Sequence, residues 1–594
     1  MTPEAALETF EVHVRDRRHE AALGGLAHLG WAMERGVELD GPHLARLAAA
    51  TAGLLTDPTL RMSPDGFARL VALNRVWSAM FAAGGFGDAG FALRTLPPVK
   101  KAVRSPRWLL WGLETLDVAA MNTLERLPPS EALPIVGALL SHRVVATPGG
   151  EATRSRLIER SKRLARARLA PEHLDVLAAA WMMCSYATTE KKHDFKANLA
   201  PVFARYLSDH GVPAEPPPRP ERLRPVVAVL SERFEHGHAM FRCYAPSLRQ
   251  LRRDFEVVLF STPEAVDERA NDVVDEVVTF DFDPKDPAAV AQLVRERAPD
   301  VVYYPSLGMA HWTVLLSSVR LAPVQILGLG HPASSRSPVI DFVVTEEGHA
   351  GDEADYVEQI VTMRRGGHPF ERVASTLTAV EPAPKADPFR IAVPANGVKL
   401  SAGLLRSCRA IRERATRPVE LHFFPNLRGL YLEQARRAIT STLPGAVVHA
   451  PMPYAEYVER LAACHLHLSP FPFGGTNSNV DTLRLGIPMI SLAGTFSAAA
   501  GEMEMLERLG LGEALIAQDV VDYEARALRI VEDDAYRIEL SKQVAAADAE
   551  HSFCGGYEEA SPTEFVDTVR WIHERHEALR ADGRPVWRPE DREG

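Results

Sequence analysis

The stretch LSPFPFGGTNSNVDTLRLGIPMISLAG, residues 468–494, decides the fold. It opens with a short apolar run ending at Ser469-Pro470, as a buried strand does on leaving a sheet. Gly474 and Gly475 follow, where backbone can approach a ligand without Cβ interference. Thr476, Asn477 and Ser478 stand where a helix begins, ahead of the apolar-periodic run at 480–485. Gly486-Ile487-Pro488 stops that helix, and MISLAG reads as the next buried strand. A strand, a glycine loop and a helix with hydroxyls and amides in its first turn form an anion site. Unpaired N–H groups and the positive end of the helix dipole point at whatever sits there. The expected ligand is a phosphate or pyrophosphate.

Outward from this segment, short β-rich runs alternate with helical ones. PVVAVLS (225–231), FEVVLFS (255–261), DEVVTFDF (275–282), PDVVYYPS (299–306), PVQILGLG (323–330) and DFVVTEE (341–347) form one series. FRIAVPA (389–395), VELHFFP (419–425), AVVHAP (446–451), LHLSP (466–470) and PMISLAG (488–494) form another. Unbroken Val/Ile/Leu strands separated by helices indicate parallel sheets covered on both faces. Proline-rich breaks at 212–225 and 381–388 separate the parts. Before the first break, residues 5–15, 20–34, 41–54, 64–83 and 171–187 carry apolar residues at three- and four-residue spacing. The expected fold is α/β: an all-α N-terminal domain (1–220), then two Rossmann-like domains (221–385 and 386–594) facing a cleft. Ligands in such sheets bind beyond the carboxyl ends of the strands.

Composition bounds the function. The chain has 594 residues, 46% hydrophobic and 24% charged, with a formal net charge of −11, which argues against a general nucleic-acid binder. No apolar signal core opens the chain, and no uninterrupted apolar run reaches about 18 residues, so no membrane span is expected. Cys184, Cys243, Cys408, Cys464 and Cys554 are far apart with no CxxC pair, which points to neither a disulfide framework nor a zinc site. The expected compartment is the cytoplasm.

Four strand ends concentrate polar residues. In FEHGHAMFR (234–242), His236 and His238 lie two apart and share a side if the segment is extended. They are either loop-to-helix residues, one capping the helix, or ligand-facing groups after the first strand of the domain. In GLGHPASSR (328–336), the G-x-G-x-x-G spacing is missing, so a dinucleotide cofactor is rejected; Pro332 holds His331 extended. In PANGVK (394–399), Lys399 is either a diphosphate counter-charge or a solvated lysine opening a helix; no Walker loop is present. In the opening segment, Asp481 is too close to a phosphate site to accept an anion. It serves ribose or sugar hydroxyls, or else the positive helix end.

With these residues in view, PFPFGGTNSNVDTLRLGIPMISLAG resembles the donor-binding segment of glycosyltransferase family 41. LAPVQILGLGHPASSRSPVIDFVVTEE (321–347) and YYPSLGM (303–309) support the resemblance. CSYATTEKKHD (184–194) and FEHGHAMFR are similar to the bacterial cytoplasmic N-glycosyltransferase branch, which glycosylates high-molecular-weight adhesins, and less so to the O-GlcNAc transferases. The resemblance implies a GT-B architecture and inverting, metal-independent transfer of a hexose, in this branch usually glucose from UDP-glucose. The acceptor it implies is Asn in Asn-Xaa-Ser/Thr sequons of a polypeptide such as an adhesin or other surface protein; no further cofactor is implied. Carried over by motif, Lys399 binds the diphosphate with Asn396 nearby, and Thr476 and Asn477 hold phosphate oxygens beside Gly475. Asp481 takes the ribose and Met452 lies by the uracil. His238 matches a histidine essential in the acceptor cleft, with His236 beside it, and His331 follows the family's Gly-His-Pro turn. The chain departs from the branch pattern at Asn396, where a Thr is usual, and at Gly475-Thr-Asn-Ser478, where Asn-Thr-Asn-Gly is usual. A Gln expected after the 419–425 strand has its nearest counterpart in Asn426.

Without a metal motif, leaving-group charge falls to Lys399 and helix-terminal N–H groups. His238 is either a general base or an orienter of the acceptor. Two other readings compete: an O-GlcNAc-transferase-like enzyme acting on Ser/Thr, and an inactive protein-binding scaffold. A retaining transferase would need paired glutamates, and Glu502 and Glu504 are too close together for that role.

Overall fold

The computed structural model describes residues 2–96, 105–372, 379–554 and 561–592. The N-terminal part is helical, as the spacing predicts. Thr2, Asp40, Ser63, Asp117 and Thr147 each cap a helix by accepting a backbone N–H, and proline stands in the first turn of four of these helices. The run at 64–83 is expected as one helix but is broken into Pro64–Val71 and Asn74–Phe81. The Leu70 carbonyl, which a continuous helix would offer to Asn74, instead accepts the Leu73 N–H at 3.1 Å and the Trp77 indole N–H at 2.9 Å. The Asn74 amide then donates to the carbonyls of Trp108, Leu109 and Trp111, which ties the break into the core.

Among the described residues fourteen strands follow: β1 (Val226–Leu230), β2 (Glu256–Ser261), β3 (Glu276–Thr279), β4 (Val301–Tyr304), β5 (Val324–Gly328), β6 (Phe342–Glu346), β7 (Gln359–Met363), β8 (Phe389–Val393), β9 (Val419–Phe423), β10 (Val447–Val448), β11 (Leu466–Leu468), β12 (Met489–Leu492), β13 (Ile516–Ala517) and β14 (Val586–Trp587). They form an eight-stranded sheet, order β14-β7-β6-β5-β4-β1-β2-β3, and a six-stranded sheet, order β10-β9-β8-β11-β12-β13. Registered pairs are parallel throughout, for example Val227↔Val301 and His467↔Met489. Both orders are doubly wound, and they reverse between β1 and β4 in the first sheet and between β8 and β11 in the second. A crevice opens beyond the strand ends at such reversals. Of the four polar segments, those after β1, β8 and β11 begin there, whereas GLGHPASSR follows β5, one strand removed from the reversal.

The chain end departs from the sequence segmentation. Residues 564–592 are read there as part of the C-terminal domain, yet β14 pairs with β7 of the first sheet. The helix Glu564–Asp582 supplies Phe565, Val569 and Ile572 to the core beneath Val227, Tyr303 and Ile326. β13 and β14, two residues each, are too short to leave a periodic signal. The chain packs into two compact units: Met1–Phe195 with Val393–Ala410 and Glu420–Met452, and Lys196–Ala392 with Ile411–Val419 and Pro453–Gly594. Among the described residues no helix is long and apolar enough to cross a membrane, and all five cysteines are unbridged.

Candidate active site

In the second unit the glycine loop is built on a carboxylate. Glu502, on the helix Ser497–Arg508, is 2% exposed. It accepts hydrogen bonds from the hydroxyl of Ser469, the N–H of Gly475 at 2.5 Å, the Asn479 amide at 2.8 Å and the Ser491 hydroxyl at 2.8 Å. A Cβ on Gly474 would collide with this carboxyl group, and one on Gly475 would lie 2.6 Å from Asn479 Oδ1. Both glycines are therefore required by the close approach of loop and carboxylate. The Gly475 N–H is taken by Glu502, which leaves Thr476, Asn477 and Ser478 exposed or half-exposed at the helix start. Glu504, two residues along the same helix, is ion-paired with Arg365.

The helix Asn477–Arg484 presents Asp481 inward. Its Oδ1 accepts from Arg242 Nη1 at 2.9 Å and from the Tyr454 hydroxyl at 2.7 Å. Burial disfavours the charge on Arg242, but the Asp481 carboxylate more than offsets this and holds its pKa above the ordinary value. Nε and Nη2 of Arg242 are buried without a hydrogen-bond partner among the described residues. A half-satisfied buried guanidinium is a fixed positive charge with donors to spare. Beside it, the Asn477 amide donates to Cys243 Sγ at 3.4 Å. Asp481 thus acts first on a cation of the helix Ala239–Leu251, a partner that the sequence expectation of a sugar hydroxyl does not include.

That helix begins at His238. Its Nδ1 accepts the Met240 N–H at 3.2 Å, so His238 is the helix cap. Burial, reinforced by the nearby Arg233 charge, holds its pKa below the ordinary histidine value, so the ring is neutral near pH 7. A neutral ring that accepts at Nδ1 carries its proton on Nε2 and is a donor there. His236 is exposed, edge-on to Phe241, and its N–H donates to Asp267. His331 is 5% exposed and stacks on Phe473 of the glycine-loop segment at 5.7 Å. The preceding glycines allow this: a Cβ on Gly330 would lie 2.7 Å from Met240 Cε, and one on Gly328 2.6 Å from the Tyr303 hydroxyl.

The remaining predicted residues lie in the first unit. Asn396 Oδ1 accepts from Val398 N–H at 3.2 Å, and the half-buried Lys399 donates its own N–H to the Asn396 carbonyl at 2.8 Å. Gly397 donates to the Pro425 carbonyl at 2.8 Å, and a Cβ there would strike Leu427. The turn of Asn396 and Lys399 is thereby nested against that of Asn426, whose φ of 49° is a left-handed conformation that Asn tolerates. Met452 is half-buried in the segment after β10. Sequence reasoning misses Arg242, Tyr454 and Glu502. Arg242 has one legible signal, since it follows His238 by four residues and so shares its helix face. The partners of Glu502 are scattered over 469–491 and leave none.

Comparison with known proteins follows from this geometry. Residues 122–207 match the family model described as HMW1 domain 2. The chain is 28% identical over 532 residues to the UDP-glucose:protein N-beta-glucosyltransferase of Actinobacillus pleuropneumoniae serotype 5b (strain L20), covering 84% of each chain. It is 24% identical over 362 residues to the probable UDP-N-acetylglucosamine--peptide N-acetylglucosaminyltransferase SPINDLY of Oryza sativa subsp. japonica, covering 56% of this chain and 37% of that one. Among solved structures, an O-GlcNAc transferase of Thermobaculum terrenum aligns with a TM-score of 0.59 at 14% identity, over 98% of this chain and 99% of that one. Two doubly wound parallel sheets and this likeness define a GT-B fold. The chain is thus similar, in sequence and in fold, to the HMW1-like branch of glycosyltransferase family 41.

Proposed function

We propose that the protein transfers a hexose, glucose, from UDP-glucose to Asn in Asn-Xaa-Ser/Thr sequons of a polypeptide acceptor, an adhesin or other surface protein, with inversion. The observation that carries this reading is the 84% coverage of the Actinobacillus UDP-glucose:protein N-beta-glucosyltransferase, together with the polar turns at both sheet reversals. The sequon, the inversion and independence from metal are this reading's own. In it Thr476 and Asn477, at the start of the Asn477–Arg484 helix, are diphosphate ligands, and Lys399 and Asn396 are assigned the same role by motif. Arg242, fixed by Asp481, adds positive charge with two donors to spare. Such preorganised charge stabilises a leaving diphosphate by several kcal/mol at typical magnitudes. Asn426 and Met452 complete the donor side, with Gly475 shaping the loop.

In the same reading His238 orients the acceptor and is not its base. The support is its Nδ1, which is occupied by the Met240 N–H, so Nε2 carries a proton and donates to an acceptor oxygen. His236 and His331 flank the acceptor side. The segments 1–220, 221–385 and 386–563 serve as helical, acceptor and donor parts, with the chain end at 564–592 joined to the acceptor part through β14 and β7, and five unbridged cysteines fit a reducing cytoplasm. The test is a sequon-peptide library incubated with UDP-glucose, UDP-galactose and UDP-GlcNAc, with and without EDTA, read by mass. Hexose on Asn, unaffected by EDTA, is expected. N-acetylhexosamine on Ser or Thr would replace this reading with the O-GlcNAc-transferase-like one, and absence of any UDP-sugar turnover would favour a scaffold.

A further inference from the structure

Acidic side chains of the N-terminal helices end on the turns that carry the donor residues. Glu151, in the first turn of the helix Pro148–Glu159, accepts the backbone N–H of Ala402 at 2.9 Å. Ala402 opens the helix Ala402–Arg414, directly after Lys399, Leu400 and Ser401. Two helix N-termini therefore share one carboxylate, an arrangement that each positive end favours. The Ser401 hydroxyl caps the same helix by accepting the Leu404 N–H at 3.0 Å. The pattern repeats at the second turn. Glu38 accepts the N–H of Gly429 at 3.2 Å, at the start of the helix Gly429–Thr442 that follows Asn426. Glu34 accepts from Arg75, Arg143 and the hydroxyl of Tyr431 on that same helix. All these residues lie in the first compact unit.

We infer that the all-α segment is the frame that positions the donor-diphosphate turns, with Glu151 a positioning residue acting through Ala402 on Lys399. This rests on the proposed role of Lys399 as a diphosphate ligand. The path is continuous in the backbone. Asn396 holds the N–H groups of Val398 and Lys399, and three residues on Glu151 holds that of Ala402. Releasing the last anchor frees the backbone that aims Lys399, while residues of the acceptor side, His236, His238 and His331, belong to the other unit.

The test uses the full chain with Glu151→Ala, Glu151→Gln and Lys399→Ala, alone and combined. UDP affinity is measured by calorimetry, KM for UDP-glucose and for a sequon peptide by turnover, and the melting midpoint alongside. Glu151→Ala is expected to weaken UDP and raise the donor KM about fivefold, the size of a lost helix cap, with the peptide KM unchanged. Glu151→Gln, which keeps an acceptor oxygen, stays within about twofold of wild type by the same measure. In the Lys399→Ala background Glu151→Ala adds nothing, because the two act in series. Wild-type UDP affinity in Glu151→Ala, an equal rise in both KM values, or a full additive effect in the Lys399→Ala background would each overturn the inference. If the wild type binds UDP but glycosylates no peptide, the acceptor reading alone fails and calorimetry still decides the role of Glu151. If it binds no UDP, the donor reading falls and takes this inference with it.

Discussion

Arg242 and Asp481 are 239 residues apart in sequence and meet at 2.9 Å, with side chains only 10% and 4% exposed. One lies on the helix after β1 and the other on the helix after β11, so the pair joins the two strand ends within the second unit. Breaking it by Asp481→Ala leaves a buried charge without its counter-ion, at a cost of about 3–5 kcal/mol. Urea denaturation should show this loss. The double variant Asp481→Ala with Arg242→Met should recover most of the stability while failing to bind UDP-glucose. A double variant as unstable as the single one would contradict the pairing.

The glycine loop makes a sharper steric prediction. Gly474→Ala places a methyl group into the Glu502 carboxyl, so either the loop or the Ser497–Arg508 helix must shift. Because Gly475 and Asn479 hang from the same carboxylate, the shift moves the start of the Asn477–Arg484 helix, the proposed diphosphate site. The expected result is a loss of UDP affinity of about tenfold or more, that is about 1.4 kcal/mol, with the far-ultraviolet circular dichroism retained. Unchanged affinity would remove the link between Glu502 and the loop.

His238 separates two mechanisms by its kinetics. Its folded pKa lies below the ordinary value, so the neutral, capping ring is favoured above about pH 6.5. As pH falls from there through the folded pKa, protonation puts a hydrogen on Nδ1 facing the Met240 N–H, and the cap is lost. Activity should therefore show an acid limb that His238→Asn abolishes, since Asn caps a helix without titrating. If His238 orients the acceptor, this variant raises the peptide KM and lowers kcat by less than about a hundredfold. A kcat loss near a thousandfold with KM unchanged would identify a general base.

Acid should also weaken the fold at two buried histidines. Burial lowers the pKa of His142 to about 3, where its Nε2 donates to Asn74 Oδ1 at 2.8 Å, and that of His368 to about 4. Both stay neutral when folded but charge in the unfolded chain below about pH 6.5. The unfolded state then binds more protons, so stability present above that pH declines progressively as pH falls towards 4. The urea midpoint at pH 4.5 should lie well below that at pH 7. His142→Gln with a flatter profile would assign part of the effect, and an identical profile would refute it.

Most of this architecture was legible because buried parallel strands are written as unbroken apolar runs. Val226–Leu230 and Phe342–Glu346 could be placed to within a residue or two for that reason. β14 could not, because a two-residue strand 223 residues beyond its partner region has no local period. The break at Leu73 was hidden because it depends on a Trp77 indole claiming the Leu70 carbonyl, a tertiary event. At the site, motif residues such as His238 and Asp481 stood out, but their partners did not. Arg242 and Glu502 take their roles from residues brought together by folding, and Glu151 acts on a turn 251 residues away.

The central claim is a transfer of hexose from a UDP-sugar to an asparagine side chain. It is tested most directly by incubating the full chain with UDP-glucose and one peptide carrying an Asn-Xaa-Thr sequon, beside the same peptide with Gln for Asn. Fragmentation mass spectrometry then locates any added mass. The account predicts one hexose on the sequon Asn and none on the Gln peptide. Hexose or N-acetylhexosamine on the Thr, or equal labelling of both peptides, would contradict it.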